Sequence, residues 1–265
     1  KSSSGRINLR GRLLADGLAS FDEVPPGYRG QLWIELIPMS FPVRVHPGAR
    51  INQLRLFAGN AELSRLEHRL AFDRFRLLRT LAGEPVSAEQ AGLGRGLSMT
   101  VDLSNQNIVG WRAKANAGQV LDIRAFDHRV EDFFEPVART ADRSCVIRPG
   151  AFYIFATKEK ILIPPDYAAE MIAYDGSKGE FRSHFAGFFD PGFGWHQEDG
   201  ERGTVGVLEV EAYSHDFILR DGQPICLMVY ERLLQPPEKL YGEALASHYH
   251  RQATPKLAKW FKAET

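Results

Sequence analysis

The chain reads as an all-β protein: two distorted jelly-roll or β-barrel units, with short helices and a C-terminal tail. The first observation is a repeat. GYRGQLWIELIPMSFPVRVHPGARINQL at Gly27–Leu54 returns, altered, as GTVGVLEVEAYSHDFILRDGQPICLM at Gly203–Met228. With Gly48 set over Gly222, Glu35 falls over Glu209, Val43 over Phe217 and Val45 over Leu219, and a repeat that keeps its phase implies two similar β units. The second is texture: QLWIEL, FPVRV and INQLRLF alternate apolar with polar and are broken by Pro, Gly and Asn, as short half-buried strands require. The third is negative. Helical patterning is scarce, no G-x-G-x-x-G follows a strand, and GLGRGLS lacks the lysine spacing of a phosphate-binding P-loop.

Taken in order, residues 1–85 form the first unit. It is expected to lack its N-terminal part, because KSSSGR at the start reads as the middle of a segment. Residues 86–265 form the second unit and carry the tail. Between the repeats, roughly Ala58–Ala138, no clean period emerges. AFYIFATKEKILIPP then resumes the strand texture. The better helical candidates are Ser87–Gly94, Tyr167–Ile172 and the tail Pro236–Lys262, which opens on two prolines and is interrupted by Gly242 and Pro255.

The 265 residues, 44% hydrophobic, are enough to bury a substantial core. Thirty-three basic residues balance thirty-three acidic ones, so no overall field recruits nucleic acid and any phosphate site has to be local. Cys145 and Cys226 are the only cysteines, which excludes a disulfide framework and fits a reducing, cytoplasmic setting. No apolar run reaches transmembrane length, and no membrane partner is expected.

Three groups of residues could carry chemistry. In KSSSGR the hydroxyls of Ser2, Ser3 and Ser4, with exposed amides at a turn and the forked guanidinium of Arg6, suit phosphate oxygens. In GFFDPGFG, Asp190-Pro191-Gly192 is a natural turn. The strand VLEVEAY that follows sends Leu208 and Val210 to one face and Glu209 and Glu211 to the other, so a turn carboxylate and a strand carboxylate can share a cavity. Glu35, between Ile34 and Leu36, reads equally well as the outer face of a sheet. His248 and His250 in SHYHRQ match no metal-ligand spacing, and no metal site is expected.

In their order these motifs resemble those of the deoxycytidine triphosphate deaminases, a branch of the deoxyuridine-triphosphatase-like β fold. KSSSGR is similar to the family's R-S-S-x-x-R phosphate motif, HFAGFFDPGFG to its H-R-I-D-P-G-W turn, and VLEV to the strand presenting the catalytic glutamate. Tyr241, His248 and Gln252 follow the spacing of the family's Tyr, Lys and Gln ligands, with His248 in place of lysine. The resemblance implies Glu209 as catalytic base and acid, with Glu35 in reserve and Ser2 positioning the water. It implies a substrate site of Ser2, Ser3, Arg6, Ala186, Asp190, Val207, Leu208, Glu209, Tyr241, His248 and Gln252.

The copies depart from the family in complementary places. The first keeps the serines but has Pro25 where the second has Asp190; the second has Lys178 and Gly179 where the serines would stand, and retains Arg182. Family sites are shared between subunits, so the implied site joins Ser2, Ser3 and Arg6 of copy one to Asp190, Glu209 and the tail of copy two. The expected reaction is metal-independent hydrolytic deamination of dCTP to dUTP and ammonia. No cofactor is tightly bound, Mg²⁺ arrives with the triphosphate, and the chain forms a homo-oligomer. The alternatives are dUTP hydrolysis, alone or coupled to deamination, and a noncatalytic nucleotide-binding β scaffold. A tail without glycine beyond Thr254 argues against hydrolysis alone.

Overall fold

The computed structural model describes residues 1–115, 117–173, 181–183, 187–195, 203–212, 214–242, 245 and 247–262. Two compact units emerge: a minor one of Lys1–Leu54, Ala113–Phe134 and Leu257–Thr265, and a major one of Arg55–Arg112 and Glu135–Lys256. Compactness thus gathers an inner segment and the last residues with the first fifty-four, instead of dividing the chain once at 85/86. The repeat follows local conformation, a different property from compactness.

In the minor unit the antiparallel hairpin of Leu9–Ala15 and Leu32–Pro38 places Arg12 opposite Glu35. Val43–Arg44 runs parallel to Leu121–Asp122. Four phenylalanines make the core: Phe41 meets Phe133 at 5.0 Å and Phe134 at 5.7 Å, and Phe261 meets the same two rings at 5.8 and 5.4 Å, all edge to face. That geometry sets positive ring edges on negative ring faces, worth about 0.5–1.5 kcal/mol per pair beyond burial.

The major unit is mostly antiparallel sheet. One sheet runs in the order Phe181–Ser183, Thr204–Ala212, Phe152–Ile161, Ile108–Ala113, Phe134–Ala138, with Leu78–Arg79 added to Phe152–Ile161. A second orders Gly187–Phe189, Tyr167–Ala173, Pro224–Arg232 and Leu97–Thr100, and Phe217–Arg220 pairs with Ser144–Ile147. Period-two alternation fills the core: Leu208, Val210, Phe155, Met171, Met228 and Tyr230 are all buried in one apolar cluster.

The repeat is visible as matched backbone. Gly48 and Gly222 hold φ of +81° and +73°. Gly27 and Gly192 hold +80° and +95° in turns closed by Tyr28 N–H on Pro25 O and Phe193 N–H on Asp190 O. Only glycine takes such φ at no steric cost, which is why both copies keep it.

Three helical expectations are corrected. Tyr167–Ala173 is a strand, held on one side by Pro224–Arg232 and on the other by Gly187–Phe189. Pairing on both edges overrides the helix preference of Ala, Glu and Met. Ser87–Gly94 closes a single turn, Ala91 N–H on Ser87 O, before Gly92 at φ +57° ends it. The described residues of Pro236–Lys262 contain no α-helix. The longest helix among the described residues, Arg65–Phe75, lies in the stretch without a clean period; Ser64 and Glu67 form a capping box at its start. Leu66 and Leu70 on it are exposed while His68, Ala71 and Phe72 are buried, so its apolar stripe is blurred. Among the described residues no helix is long and apolar enough to cross a membrane.

Candidate active site

In the major unit the Thr204–Ala212 strand alternates as expected from its sequence. Leu208, Val210 and Ala212 are buried, whereas Val207, Glu209 and Glu211 are half-buried on the opposite face. Glu209 pairs in register with Ile154, and Glu211 with Phe152. The strand is pinned near its start. Gly206 N–H donates to Thr157 Oγ1 at 2.7 Å, and that hydroxyl donates to Glu159 O at 2.7 Å across a register shift between Ala156 and Lys160. Thr157 is fully buried, and this double bond satisfies it where the ladder is interrupted. Sequence reasoning missed this anchor. Its only signal was a threonine closing an apolar run, just before Lys158, Glu159 and Lys160.

The tail is fastened to the same strand and to the Asp190 turn. Gln252 is buried, and its Nε2 donates to Val205 O at 2.8 Å. Tyr241 N–H donates to Pro191 O at 2.8 Å, and its ring lies 5.6 Å from that of Phe193. Asp190 is half-buried at the head of the turn. A Cβ on Gly192 would stand 2.7 Å from Leu240 Cβ and 3.0 Å from Tyr241 N, so turn and tail approach as closely as a missing side chain allows. Phe189 and Phe193 stack edge to face at 4.9 Å and join the buried core, so packing is the role the structure gives both rings. His248 is exposed, and its carbonyl accepts from Lys256 Nζ at 3.1 Å. Ala186, Lys178 and Gly179 lie outside the described residues, as does the Arg182 side chain.

In the minor unit Ser2–Gly5 is one helical turn, with Gly5 N–H on Lys1 O and Arg6 N–H on Ser2 O. Burial deepens along it: Ser2 is exposed, Ser3 half-buried, and Ser4 and Arg6 are buried. A buried guanidinium is costly without partners, which makes Arg6 a placed residue rather than a surface charge. Glu35 is exposed on its hairpin strand, after the equally exposed Trp33 and Ile34 and before the half-buried Leu36. Among the described residues no group of three or more His, Cys, Asp or Glu side chains converges as a metal-binding set.

Known proteins match these features in order. The family model for the C-terminal domain of 2′-deoxycytidine 5′-triphosphate deaminase matches residues 76–261, and that for its N-terminal domain matches residues 1–60. The chain belongs to the 2′-deoxycytidine 5′-triphosphate deaminase family. It is a hydrolase of nucleotide metabolism, with the deaminase activity of that family. A crystal structure of the deaminase from Agrobacterium tumefaciens is 36% identical with a TM-score of 0.77, covering 90% of this chain and 68% of that one. The protein from Methanosphaera stadtmanae is 30% identical over 145 residues, 52% of this chain and 68% of its own. That from Leifsonia xyli is 30% identical over 151 residues, 52% and 71%.

Both of these relatives are named "dCTP deaminase, dUMP-forming". Their product overturns the expectation of dUTP as the end product. The motifs that suggested it report deamination and triphosphate binding, and neither feature distinguishes a retained triphosphate from one that is cleaved.

Proposed function

We propose that the protein converts dCTP to dUMP, releasing ammonia and diphosphate. Glu209 takes a proton from the water that adds to C4 and returns it to N3. Collapse of the adduct expels ammonia and leaves uracil. A second water displaces diphosphate at the α-phosphorus. The observation carrying this reading is the place of Glu209: half-buried, on the strand face opposite Leu208 and Val210, with the strand braced by Gly206 and Gln252. A rigidly held, partly dried carboxylate is what proton shuttling at neutral pH requires.

The remaining roles follow the family resemblance. Ser2, Ser3 and Arg6 bind the triphosphate, which brings Mg²⁺ as its counter-ion, and Ser2 orients the water. Asp190 and Val207 face the nucleoside, with Tyr241 and His248 toward the phosphates, whereas Leu208, buried in the core on the face opposite Glu209, has only its backbone to offer. Gln252, whose amide nitrogen is committed to Val205, acts as a strut for the tail. Glu35 has no part in turnover. The free thiols Cys145 and Cys226 suit a reducing cytoplasm, and the enzyme works as a homo-oligomer.

Anion-exchange analysis of the nucleotide pool with parallel ammonia and diphosphate assays tests the reaction. Equal amounts of dUMP, ammonia and diphosphate are expected. Glu209→Gln should cut kcat by roughly 10²–10⁴-fold with folding intact, the range for losing a general base, while Glu35→Gln leaves turnover unchanged. Accumulation of dUTP, or equal loss in both variants, refutes the assignment.

A further inference from the structure

The minor unit contains a cavity of about 270 Å³ lined by none of the residues of the proposed substrate site; of the hydroxyls in KSSSGR it takes Ser4, which that site does not use. Leu9, Ile51 and Ile123 give it an apolar floor. Ser4, Arg50, Lys259 and Trp260 make the wall, and among the described residues no carboxylate lines it. Ser4 Oγ donates to Ile51 O at 3.3 Å, closing one side and leaving recognition to the cations. Lys259 and Trp260 are held in place by the backbone: His128 N–H bonds to Trp260 O at 3.2 Å and Lys262 N–H to His128 O at 2.9 Å. Lys259 Nζ lies 5.9 Å from the Trp260 ring centre and 5.7 Å from that of Phe126, between two aromatic faces.

Cations gathered over an apolar floor focus a positive potential that water screens poorly. Partial burial, and then the charge of Lys1, pull the Lys259 ammonium below its ordinary range. A bound anion would relieve both effects. Size narrows the anion. Small-molecule sites begin at about 300 Å³, so this cavity suits a compact polyanion and not a whole nucleoside triphosphate. The two positive charges that line it, on Arg50 and Lys259, favour a multiply charged group over a monoanion.

We propose that this cavity is a second, noncatalytic anion site that takes a diphosphate group, either inorganic diphosphate or the diphosphate end of a nucleotide. It stands on the cavity alone. The proposed reaction enters only as a source, since diphosphate is its co-product.

Inorganic diphosphate is titrated calorimetrically into the full chain already saturated with a nonhydrolysable dCTP analogue. Saturable binding at one site per chain is expected to persist. Arg50→Ala and Lys259→Met should each weaken it by roughly ten- to a hundredfold, the size of one charge-assisted hydrogen bond. Lys259→Arg should retain binding, which separates lost charge from lost packing, and circular dichroism confirms that each variant is folded. Trp260 fluorescence should change on titration in the wild type and not in Trp260→Phe. Competition by dUDP assigns the site to nucleotide-borne diphosphate and its absence to the free anion, and both support the proposal. It is overturned if binding vanishes once the analogue is bound, if Arg50→Ala and Lys259→Met bind as the wild type does, or if phosphate and sulfate compete equally well. Glu209→Gln should bind diphosphate normally while failing to turn over dCTP, so the two proposals fail separately.

Discussion

Replacing Gly192 with alanine tests whether the Asp190 turn and the tail behave as one piece. Gly192 sits at φ +95°, where a side chain costs about 1–2 kcal/mol. The new Cβ would meet Leu240 Cβ at 2.7 Å and the backbone N and O of Tyr241 at 3.0 and 3.1 Å. Backbone atoms cannot swing aside as the end of a long side chain can. The tail must therefore retreat, stretching the 2.8 Å bond from Tyr241 N–H to Pro191 O, worth another 0.5–1.5 kcal/mol or about that. The combined cost is roughly 2–3 kcal/mol, which shifts tail docking by roughly 30- to 150-fold. Differential scanning fluorimetry should show Tm falling by roughly 4–12 °C, from about 2–4 °C per kcal/mol for a domain of this size. Steady-state kinetics should show the KM for dCTP rising by up to the docking factor, with a smaller change in kcat. A lower Tm with an unchanged KM would refute the link between tail and triphosphate, and an unchanged Tm would refute the steric argument itself.

Other substitutions probe the supports. Gln252→Leu removes the donor to Val205 O and leaves a buried carbonyl short of a partner, at about 1–3 kcal/mol; Tm should fall and tryptic cleavage after Arg251 should accelerate. Glu159 is held above the usual carboxylate range by burial, against the pull of its bonds from Thr100 N–H at 2.9 Å and Thr100 Oγ1 at 2.5 Å. The native state therefore binds its proton more tightly than the unfolded chain, and stability drains as pH rises from about 4.3 through the raised value. Glu159→Gln should flatten that slope and raise Tm at pH 7 by a few degrees; a lower Tm would mean that the Thr100 bonds to the carboxylate outweigh its burial. Asp122 has the opposite sign. The N–H of Arg124 and then the ring of His46, at 2.8 Å, hold its carboxyl below the usual range. Its contribution is present above that range and lost as pH falls through the lowered value, so below about pH 4 the wild type should lose stability faster than Asp122→Asn in pH-resolved thermal scans.

How legible the site was depends on which interactions define each part. The alternation of Glu209 against Leu208 and Val210, the turn at Asp190 and the matched glycines at 48 and 222 are local properties, set by backbone sterics and a period of two, and the sequence by itself determined them. The capping box at Ser64 was equally local, yet the helix it starts went unread because Leu66 and Leu70 face outward and blur the stripe. Tyr167–Ala173 could not be read locally. Its residues favour a helix, and only ladders to strands distant in sequence make it a strand. The same holds for the bond from Gln252 to Val205, the contact of Tyr241 with Pro191 and the convergence of Arg50 with Lys259 and Trp260. Each joins residues that no period relates, and only the tertiary structure decided them, because hydrogen bonds and buried charge depend on what the folded chain brings within a few ångströms.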